Sequence, residues 1–207
     1  MSNNASFFAL LSRMKYIPRW SLMRNASAEN LSEHTLETAV LAHCLVMLHN
    51  ERFAGAAGPL SAERAATLAL FHDVPEVLTG DLPTPVKYHS GGVREAYAKV
   101  EKSACDTLLS FLPPDLRPHY AVLLRPAEEE QGLWRYVKAA DKLSALIKCI
   151  EEQKAGSREF LRAEEATLAA LRAMRLPEVD CFLTEFLSAY AEPLDGMMER
   201  RKDGAAP

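Results

Sequence analysis

The chain has 207 residues, a length typical of one domain with enough interior to fold without disulfides or a structural metal. Its 24 basic and 28 acidic residues give a formal charge of −4, and no basic stripe stands out, which argues against binding nucleic-acid polymers or membrane surfaces. The four cysteines show no C-x-x-C spacing, and the sequence has neither a secretory leader pattern nor a run of ~20 apolar residues. These features predict a cytoplasmic protein.

Leucine and alanine outnumber β-branched residues, and the spacing of apolar residues predicts an all-α fold. In chain order, helices are predicted at residues 5–16, 33–52, 62–73 and 92–112, then in a shorter segment from Asp115, and finally at 128–155, 158–174 and 178–190. We expect a single domain over residues 1–198, followed by a charged, frayed tail at 199–207.

The helix at 33–52 is apolar on nearly all sides, which is typical of a central, buried helix. Ser32 is its predicted N-cap, with Leu31 and Leu36 closing a hydrophobic staple. One face of the helix carries Leu36, Val40, His43 and Met47. We therefore expect His43 to lie in the core, whereas His34, in the first turn, lies at a helix end of the kind that commonly borders a site.

The most unusual stretch is residues 69–76, where adjacent His72 and Asp73 end an apolar helical run and Glu76 follows within one turn. An unpaired carboxylate on an apolar surface is costly, so Asp73 requires a proton, a cationic partner or a metal. A hydrogen-bonded core histidine next to a capping aspartate is an equally good explanation of the pair. Pro75 lacks a backbone donor, so it either kinks the helix or opens a new turn.

Two connecting segments carry further candidates. Arg19 and Trp20 are adjacent in a short polar link and suit either a surface anchor or a phosphate clamp beside a flat wall. The loop at 79–85 is stiffened by Pro83, Pro85 and one glycine. This loop is either a simple turn or, because it directly follows the His-Asp pair, one wall of a pocket.

Asp141 is a second carboxylate on an apolar helix face, which it shares with Trp134, Val137 and Ala145. A salt bridge to Lys138 or Lys142 would explain it, and so would a metal. Two imidazoles and two carboxylates, from His34, His72, Asp73 and Asp141, would suit a divalent cation such as Mn²⁺, Co²⁺, Fe²⁺ or Zn²⁺ and leave positions open for water and substrate. Their spacing alone is too irregular to identify a metal site.

The order His34, His72-Asp73, Asp141 resembles the H…HD…D pattern of the HD-domain metal-dependent phosphohydrolases, an all-helical superfamily. A closer resemblance, to the YfbR-type 5′-deoxynucleotidases, runs from about residue 6 to residue 190. It rests on Arg19-Trp20, on Ser32-Glu33-His34, on the long motif from His72 to Tyr88 and on Lys138-Ala139-Ala140-Asp141.

The resemblance implies a single-domain HD-domain fold and hydrolysis of deoxyribonucleoside 5′-monophosphates. It implies one divalent cation per chain, Co²⁺ or Mn²⁺ in preference to Zn²⁺, Fe²⁺ or Cu²⁺, held by His34, His72, Asp73 and Asp141. Arg19 would orient the phosphate, Trp20 would lie against the sugar, and Glu76 would handle the proton of the attacking water. The expected nucleoside contacts are Asp81, Leu82, Pro83 and Thr84, and the residues His34, Asp73 and Asp141 would also border the substrate. The family is dimeric and cytoplasmic.

Three alternatives remain open at this point. A related phosphohydrolase could act on a nucleoside triphosphate or a cyclic nucleotide instead. A dinuclear iron oxygenase would need further histidine ligands between Asp73 and Asp141, where His89 and His119 are available. A non-catalytic metal-binding module is the third alternative, although Glu76 and Arg19 argue against it.

Overall fold

The computed structural model describes residues 5–55, 58–87 and 89–203, with side chains described through residue 198. The α-helices are α1 (Phe7–Leu11), α2 (Leu31–Leu48), α3 (Ala62–Phe71), α4 (Glu76–Thr79), α5 (Thr84–Lys87), α6 (Gly91–Ser110), α7 (Arg117–Leu124), α8 (Gln131–Lys154), α9 (Leu161–Ala173), α10 (Pro177–Glu185) and α11 (Leu194–Asp203). Within the described ranges, the β-type backbone pairing consists of one isolated bridge between Pro18 and Asn30. The predicted all-α fold is confirmed.

Helix α2 lies at the centre and packs against α3 and α8. The larger of two buried apolar clusters joins these three helices to α10, for example through Leu45, Leu68, Leu143 and Phe182. The smaller cluster joins α1, α6 and α7 to Leu31 and Val74. Because Leu31 precedes His34 and Val74 follows Asp73, the candidate site lies where the two clusters meet.

The start of α2 differs from the prediction. Asn30, not Ser32, is the N-cap: its side-chain oxygen accepts from the backbone N–H groups of Ser32 and Glu33 at 3.0 and 3.1 Å. The Glu33 carboxylate in turn accepts from the Asn30 backbone N–H at 2.9 Å, which completes a capping box. The staple is also wrong, because Leu36 is exposed.

The expectation that α2 is buried on all sides is wrong as well. Leu36 and Val40 are each 62% exposed and Met47 is 40% exposed, and His43 is exposed on the same face. The core prediction for His43 is therefore wrong. Apolar composition cannot distinguish a core face from a surface face, and only the packing of α3, α8 and α10 decides which sides of α2 are covered.

The remaining differences are three helices that the sequence analysis did not predict, α4, α5 and α11, and details at helix ends. The predicted first helix is α1 followed by a 3₁₀ segment (Ser12–Tyr16), and α2 ends in a π-helical turn (His49–Phe53). Further 3₁₀ segments precede α8 and follow α10 (Glu128–Glu130 and Leu187–Ala191). Gly156 follows α8 with φ +92°, as expected of the residue that ends a helix. The domain boundary at 198/199 stays a prediction, and residues 204–207 of the tail lie outside the described residues.

No helix in the described part of the chain is both long and apolar enough to cross a bilayer.

Candidate functional site

His34 is placed by the first turn of α2, which the Asn30 capping box fixes directly before it. The ring is buried, and its two nitrogens face different partners. Nδ1 lies 2.9 Å from Ser144 Oγ on α8. Nε2 lies 3.2 Å from Asp141 Oδ1 and 3.5 Å from Asp73 Oδ2. The ring therefore links the centre of α8 to the turn after α3.

His72 and Asp73 lie in the turn that follows α3, where Pro75 prevents α3 from continuing and becomes the N-cap of α4. The His72 Nδ1–H donates to the carbonyl oxygen of Ala69 at 2.6 Å. The other ring nitrogen, Nε2, is buried and lies 3.0 Å from Asp73 Oδ2, and it has no partner in hydrogen-bonding geometry among the described residues. A hydrogen bond at Nδ1 leaves the lone pair of a neutral ring on Nε2, as in histidines that bind metals.

Asp141, from the middle of α8, completes the cluster. One ligand atom from each of His34, His72, Asp73 and Asp141 lies within 4.8 Å of the others. Among the described ion pairs Asp141 contacts His34 and neither Lys138 nor Lys142, so the salt-bridge alternative is not what the structure shows. The two nitrogens and two oxygens fit a first-row divalent cation.

The charge balance of the cluster also favours a cation. Burial lowers the pKa of His34, but the carboxylates of Asp141 and Asp73, both hydrogen-bonded to the ring, outweigh it and raise that pKa to about 9. Burial opposes ionisation of Asp73, yet the neighbouring His72 and His34 hold its pKa well below the usual range. The surroundings thus stabilise positive charge between these side chains, whether a proton or a metal ion supplies it.

A relay behind His34 fixes which nitrogen faces the cluster. The Ser144 hydroxyl donates its one proton to Glu37 Oε2 at 2.6 Å, so toward His34 Nδ1 its oxygen accepts. The Nδ1 of His34 therefore carries a proton in either charge state of the ring. In the protonated ring the Nε2–H group faces the two carboxylates, and when Nε2 gives up that proton its lone pair faces them, in the orientation that a metal ligand requires.

Glu76 lies at the start of α4 and is buried. Burial, together with the negative charges of Asp73 and Asp81, raises the pKa of its carboxyl to about 9. Its Oε2 has no hydrogen-bond partner within the described part of the chain. A carboxyl with this pKa holds a proton near neutral pH. It releases the proton and becomes negative when positive charge is added nearby, which is the property required of a group that exchanges protons during a reaction.

A cavity of about 590 Å³ adjoins the cluster. Asp141 belongs to the cluster and also lines the cavity. The Arg19-Trp20 pair lines it as well, together with the predicted loop residues Asp81, Leu82, Pro83 and Thr84. Gly80, with φ +73°, turns the chain from α4 into this loop. Helix α9 also lines the cavity, with Ala163, Ala166, Thr167 and Ala170. The pocket interpretation of the 79–85 loop is therefore the one that the structure supports.

Arg19 and Trp20 lie at the junction of cavity and cluster. Arg19 is largely buried, with one terminal nitrogen 3.7 Å from Asp73 Oδ2. Its Nε donates to Glu29 Oε1 at 3.1 Å, and the indole Nε1 of Trp20 donates to Glu29 Oε2 at 2.9 Å. The surface-anchor alternative does not fit a buried guanidinium beside the metal-ligand cluster.

Three site residues were missed by sequence reasoning: Glu29, Glu37 and Ser144. Each contacts a site residue or its partner that lies far away in the sequence, and no local pattern reveals such contacts. Glu37 lies close to a predicted ligand, one helical turn after His34. His89 and His119 are exposed and lie outside the cluster. Among the described residues, the dinuclear iron alternative therefore lacks the additional histidine ligands that a second iron would need.

The chain is similar to known proteins over nearly its whole length. A family model described as 5′-deoxynucleotidase YfbR-like matches residues 6–190. The 5′-deoxynucleotidase of Erwinia tasmaniensis is 45% identical over 192 residues, which cover 93% of this chain and 96% of that protein.

Solved structures share the fold. An HD-domain phosphohydrolase from Listeria innocua superposes with a TM-score of 0.78 at 24% identity, covering 97% of this chain and 98% of that one. A cyanophage S-2L HD phosphohydrolase, solved with dA and one catalytic Zn²⁺ ion, has a TM-score of 0.56 at 18% identity and covers 87% of this chain and 95% of that one. At these identities the likenesses establish the fold alone.

Proposed function

The chain belongs to the YfbR-like 5′-deoxynucleotidase family, and from that premise we propose how its own residues carry out the reaction. The reaction is the metal-dependent hydrolysis of a deoxyribonucleoside 5′-monophosphate (dNMP) to deoxynucleoside and phosphate. One observation carries the assignment of residues: two carboxylates converge on His34 Nε2 at 3.2 and 3.5 Å, beside a buried His72 Nε2 that has no partner in hydrogen-bonding geometry among the described residues.

We assign His34, His72, Asp73 and Asp141 as the ligands of one divalent cation, with Co²⁺ or Mn²⁺ as the active metal. When bound, such a cation lowers the pKa of a coordinated water and offsets the charge of the phosphate. The donor set does not discriminate sharply among first-row metals, so Zn²⁺, Fe²⁺ and Cu²⁺ are further ions for the assay.

Arg19 is assigned to the phosphate. Its Nε is already bonded to Glu29, and one terminal nitrogen lies 3.7 Å from Asp73 Oδ2. A planar guanidinium can then present two parallel N–H groups to two phosphate oxygens, which offsets the charge that develops during transfer.

The cavity is assigned to the nucleoside. Trp20 and the Asp81–Thr84 loop line the cavity together with Arg19 and Asp141, and the sugar of a substrate with its phosphate at Arg19 would lie against them. A bulky indole at that position rejects a 2′-hydroxyl by steric overlap. This is the basis that we propose for the preference for deoxyribonucleotides.

Glu76 is assigned to proton transfer. The pKa of its buried carboxyl, about 9, falls when a cation binds next to Asp73, because positive charge favours the carboxylate. Glu76 can then accept the proton of the attacking water and return it to the leaving 5′-oxygen.

Two further expectations are proposals about the whole protein: that it is a homodimer and that it acts in the cytoplasm on the nucleotide pool. The exposed stripe of α2, formed by Leu36, Val40, His43 and Met47, is the surface that we expect a second copy to cover. Two-fold pairing would bring the same stripe of both copies together and bury it from water.

The assignment is tested by a phosphate-release screen of deoxy- and ribonucleoside monophosphates, a triphosphate and a cyclic nucleotide, with several divalent ions. We expect phosphate from dNMPs, loss of activity with a chelator and recovery with Co²⁺ or Mn²⁺. Asp73→Asn should abolish activity and metal binding, whereas Asp115→Asn, at an exposed position, should not. Release of pyrophosphate or triphosphate, or opening of a cyclic nucleotide, would instead show another substrate class, and two metals per chain would contradict the single-cation site.

A further inference from the structure

We propose that Glu29 is a positioning residue that holds Arg19 and Trp20 as one unit, so that a single carboxylate governs both the phosphate contact and the exclusion of ribonucleotides. The inference rests on the proposed function of Arg19 and Trp20, and it concerns a residue to which the sequence motifs assign no role.

The geometry of Glu29 is the first argument. Its two carboxylate oxygens are each used by one of two consecutive residues: Oε1 accepts from Arg19 Nε at 3.1 Å and Oε2 from Trp20 Nε1 at 2.9 Å. The side chain is only 13% exposed, so water competes little for these bonds. One rigid, planar group thus fixes both neighbours relative to each other.

For Arg19, the bond to Glu29 fixes the orientation of the guanidinium group. With Nε bonded to Glu29, rotation of the guanidinium plane is restricted, and a terminal nitrogen lies 3.7 Å from Asp73 Oδ2, on the side of the metal-ligand cluster. The remaining N–H groups are therefore aimed where a phosphate bridging Arg19 and the cation would lie. Without the bond to Glu29, the side chain would have to lose that rotational freedom at each binding event.

For Trp20, the consequence is a held, unfavourable conformation. Its backbone has φ +56°, which is rare for a bulky aromatic residue and persists only where surrounding contacts impose it. Those contacts include the indole bond to Glu29, packing on Phe160 with ring centroids 5.3 Å apart, and donations to the Trp20 carbonyl from Asn25 Nδ2 at 3.2 Å and from the Met23 backbone N–H at 2.9 Å. Of these, the bond to Glu29 is the one that fixes the indole nitrogen end.

Glu29 is itself well placed to act this way, because the chain on either side is anchored. The backbone N–H of Arg19 donates to the Glu29 carbonyl at 3.0 Å, and Leu31 N–H donates to the Ile17 carbonyl at 3.0 Å. The loop between them is tied to α8, where Glu152 accepts from the backbone N–H groups of Ala26 and Ser27 at 2.7 and 3.0 Å. The carboxylate therefore reaches Arg19 and Trp20 from a fixed base.

The test is Glu29→Gln, which keeps the size of the side chain but replaces one acceptor oxygen by an NH₂ group. One of the two bonds must then be lost, because an amide nitrogen cannot accept from Arg19 or Trp20. Because the remaining bond no longer fixes the two residues relative to each other, we expect kcat/KM for dNMPs to fall ~10- to 100-fold and the ratio of dNMP to ribonucleotide turnover to fall with it. Affinity for Mn²⁺, measured by calorimetry, should stay that of the parent.

The metal titration is needed because Glu29 Oε1 also lies 3.6 Å from His34 Nδ1. If Glu29→Gln weakened Mn²⁺ binding in parallel with activity and left the deoxy-to-ribo ratio unchanged, Glu29 would act through His34 and the proposal would be wrong. Glu33→Gln, the neighbouring capping-box carboxylate, is the matched control and should leave the ratio and the Mn²⁺ affinity unchanged.

A double variant separates the effect of Glu29 on Arg19 from its effect on Trp20. In a Trp20→Ala background the indole is absent, so adding Glu29→Ala, which removes both acceptor oxygens, should lower turnover through Arg19 but should not change the deoxy-to-ribo ratio further. A further drop of the ratio in that background would show that Glu29 acts on the sugar by another route and would overturn the proposed link to Trp20.

A readout without catalysis distinguishes failure of this proposal from failure of the proposed function. The chain has two tryptophans, so Trp134→Phe leaves Trp20 as the single emitter. In that background Glu29→Ala, which removes both acceptor oxygens, should shift the emission of Trp20 and increase its quenching by acrylamide, since the indole N–H loses its partner. An unchanged emission would overturn the positioning role even in an active enzyme, and a changed emission would support it even if no dNMP were hydrolysed.

Discussion

In the proposed mechanism, different side chains carry proton transfer and metal binding. Glu76 is buried, and the charge of Asp73 raises its pKa, but it is not among the four side chains that converge. Ser144 is buried behind His34 and contacts no substrate in the proposed arrangement, where it would determine which ring nitrogen faces the cation. Replacing each residue should therefore change one property and leave the other.

For Glu76→Gln we expect kcat to fall ~10²- to 10⁴-fold, the contribution typical of a positioned acid or base. Mn²⁺ affinity and stability should be retained, because the amide has the same shape and carries no charge to bury. Steady-state kinetics and calorimetry measure the two effects, and Glu95→Gln, an exposed position on α6, serves as the control. Full activity of the Glu76→Gln variant would exclude Glu76 from proton transfer.

For Ser144→Ala we expect Mn²⁺ affinity to weaken ~10- to 100-fold, as is common when the partner that orients a ligating histidine is removed. Without the hydroxyl, the proton of the His34 ring is free to move to Nε2, where it blocks the lone pair. Titration of the metal-depleted protein measures the effect against Ser110→Ala, an exposed helical serine. Parent-like affinity in the Ser144→Ala variant would show that the relay to Glu37 has no role in metal binding.

At the scale of helices, the site depends on where elements begin and end. His34 lies in the first turn of α2, His72 and Asp73 in the turn between α3 and α4, and Asp141 in the middle of α8. Side chains at helix ends are free to converge, whereas the backbone groups there need capping partners. The Asn30 cap of α2 therefore also fixes the position of His34, a candidate metal ligand.

The cap of α2 gives a clean comparison of sequence expectation and structure. Asn30→Ala should lower the free energy of unfolding by about 1 kcal/mol, since two backbone N–H groups lose their acceptor. Ser32→Ala, at the predicted cap, should have little effect because Ser32 is exposed and already within the helix. Urea unfolding curves measure both, and a larger loss for Ser32→Ala would contradict the capping assignment.

At the scale of the whole molecule, the exposed stripe of α2 is the feature that a monomer leaves unexplained. Contiguous apolar side chains on one face of a central helix are typical of a contact surface. In the proposed dimer, Val40→Glu would place two charges against each other across a two-fold axis.

We therefore expect Val40→Glu to shift the protein toward monomer, as measured by size-exclusion chromatography with light scattering. Val100→Glu, at an exposed valine of α6 away from the stripe, should leave the oligomeric state unchanged. A parent protein that is monomeric at all concentrations, or a Val40→Glu variant that dimerises like the parent, would show that the stripe has another role.

The sequence by itself determined the helical class, the extent of most helices and the four ligand candidates. These are local properties: periodic apolar residues specify helices, and carboxylates in apolar surroundings stand out because burying them alone is costly. The resemblance around residues 72–88 then pointed to the family that the comparisons confirm. The true cap of α2 was also readable, since Asn30 has a glutamate three residues later and Ser32 does not.

Tertiary structure alone decided which apolar faces are covered and which side chains support the site. Composition made α2 look uniformly buried, but its neighbours pack on only some of its sides and leave His43 in solvent. Ser144 reaches His34 across 110 positions of the chain, and Glu29 reaches Arg19 and Trp20 across a folded loop. Such contacts depend on how helices and loops pack in space, and the spacing of residues along one helix does not reveal which other segments pack against it.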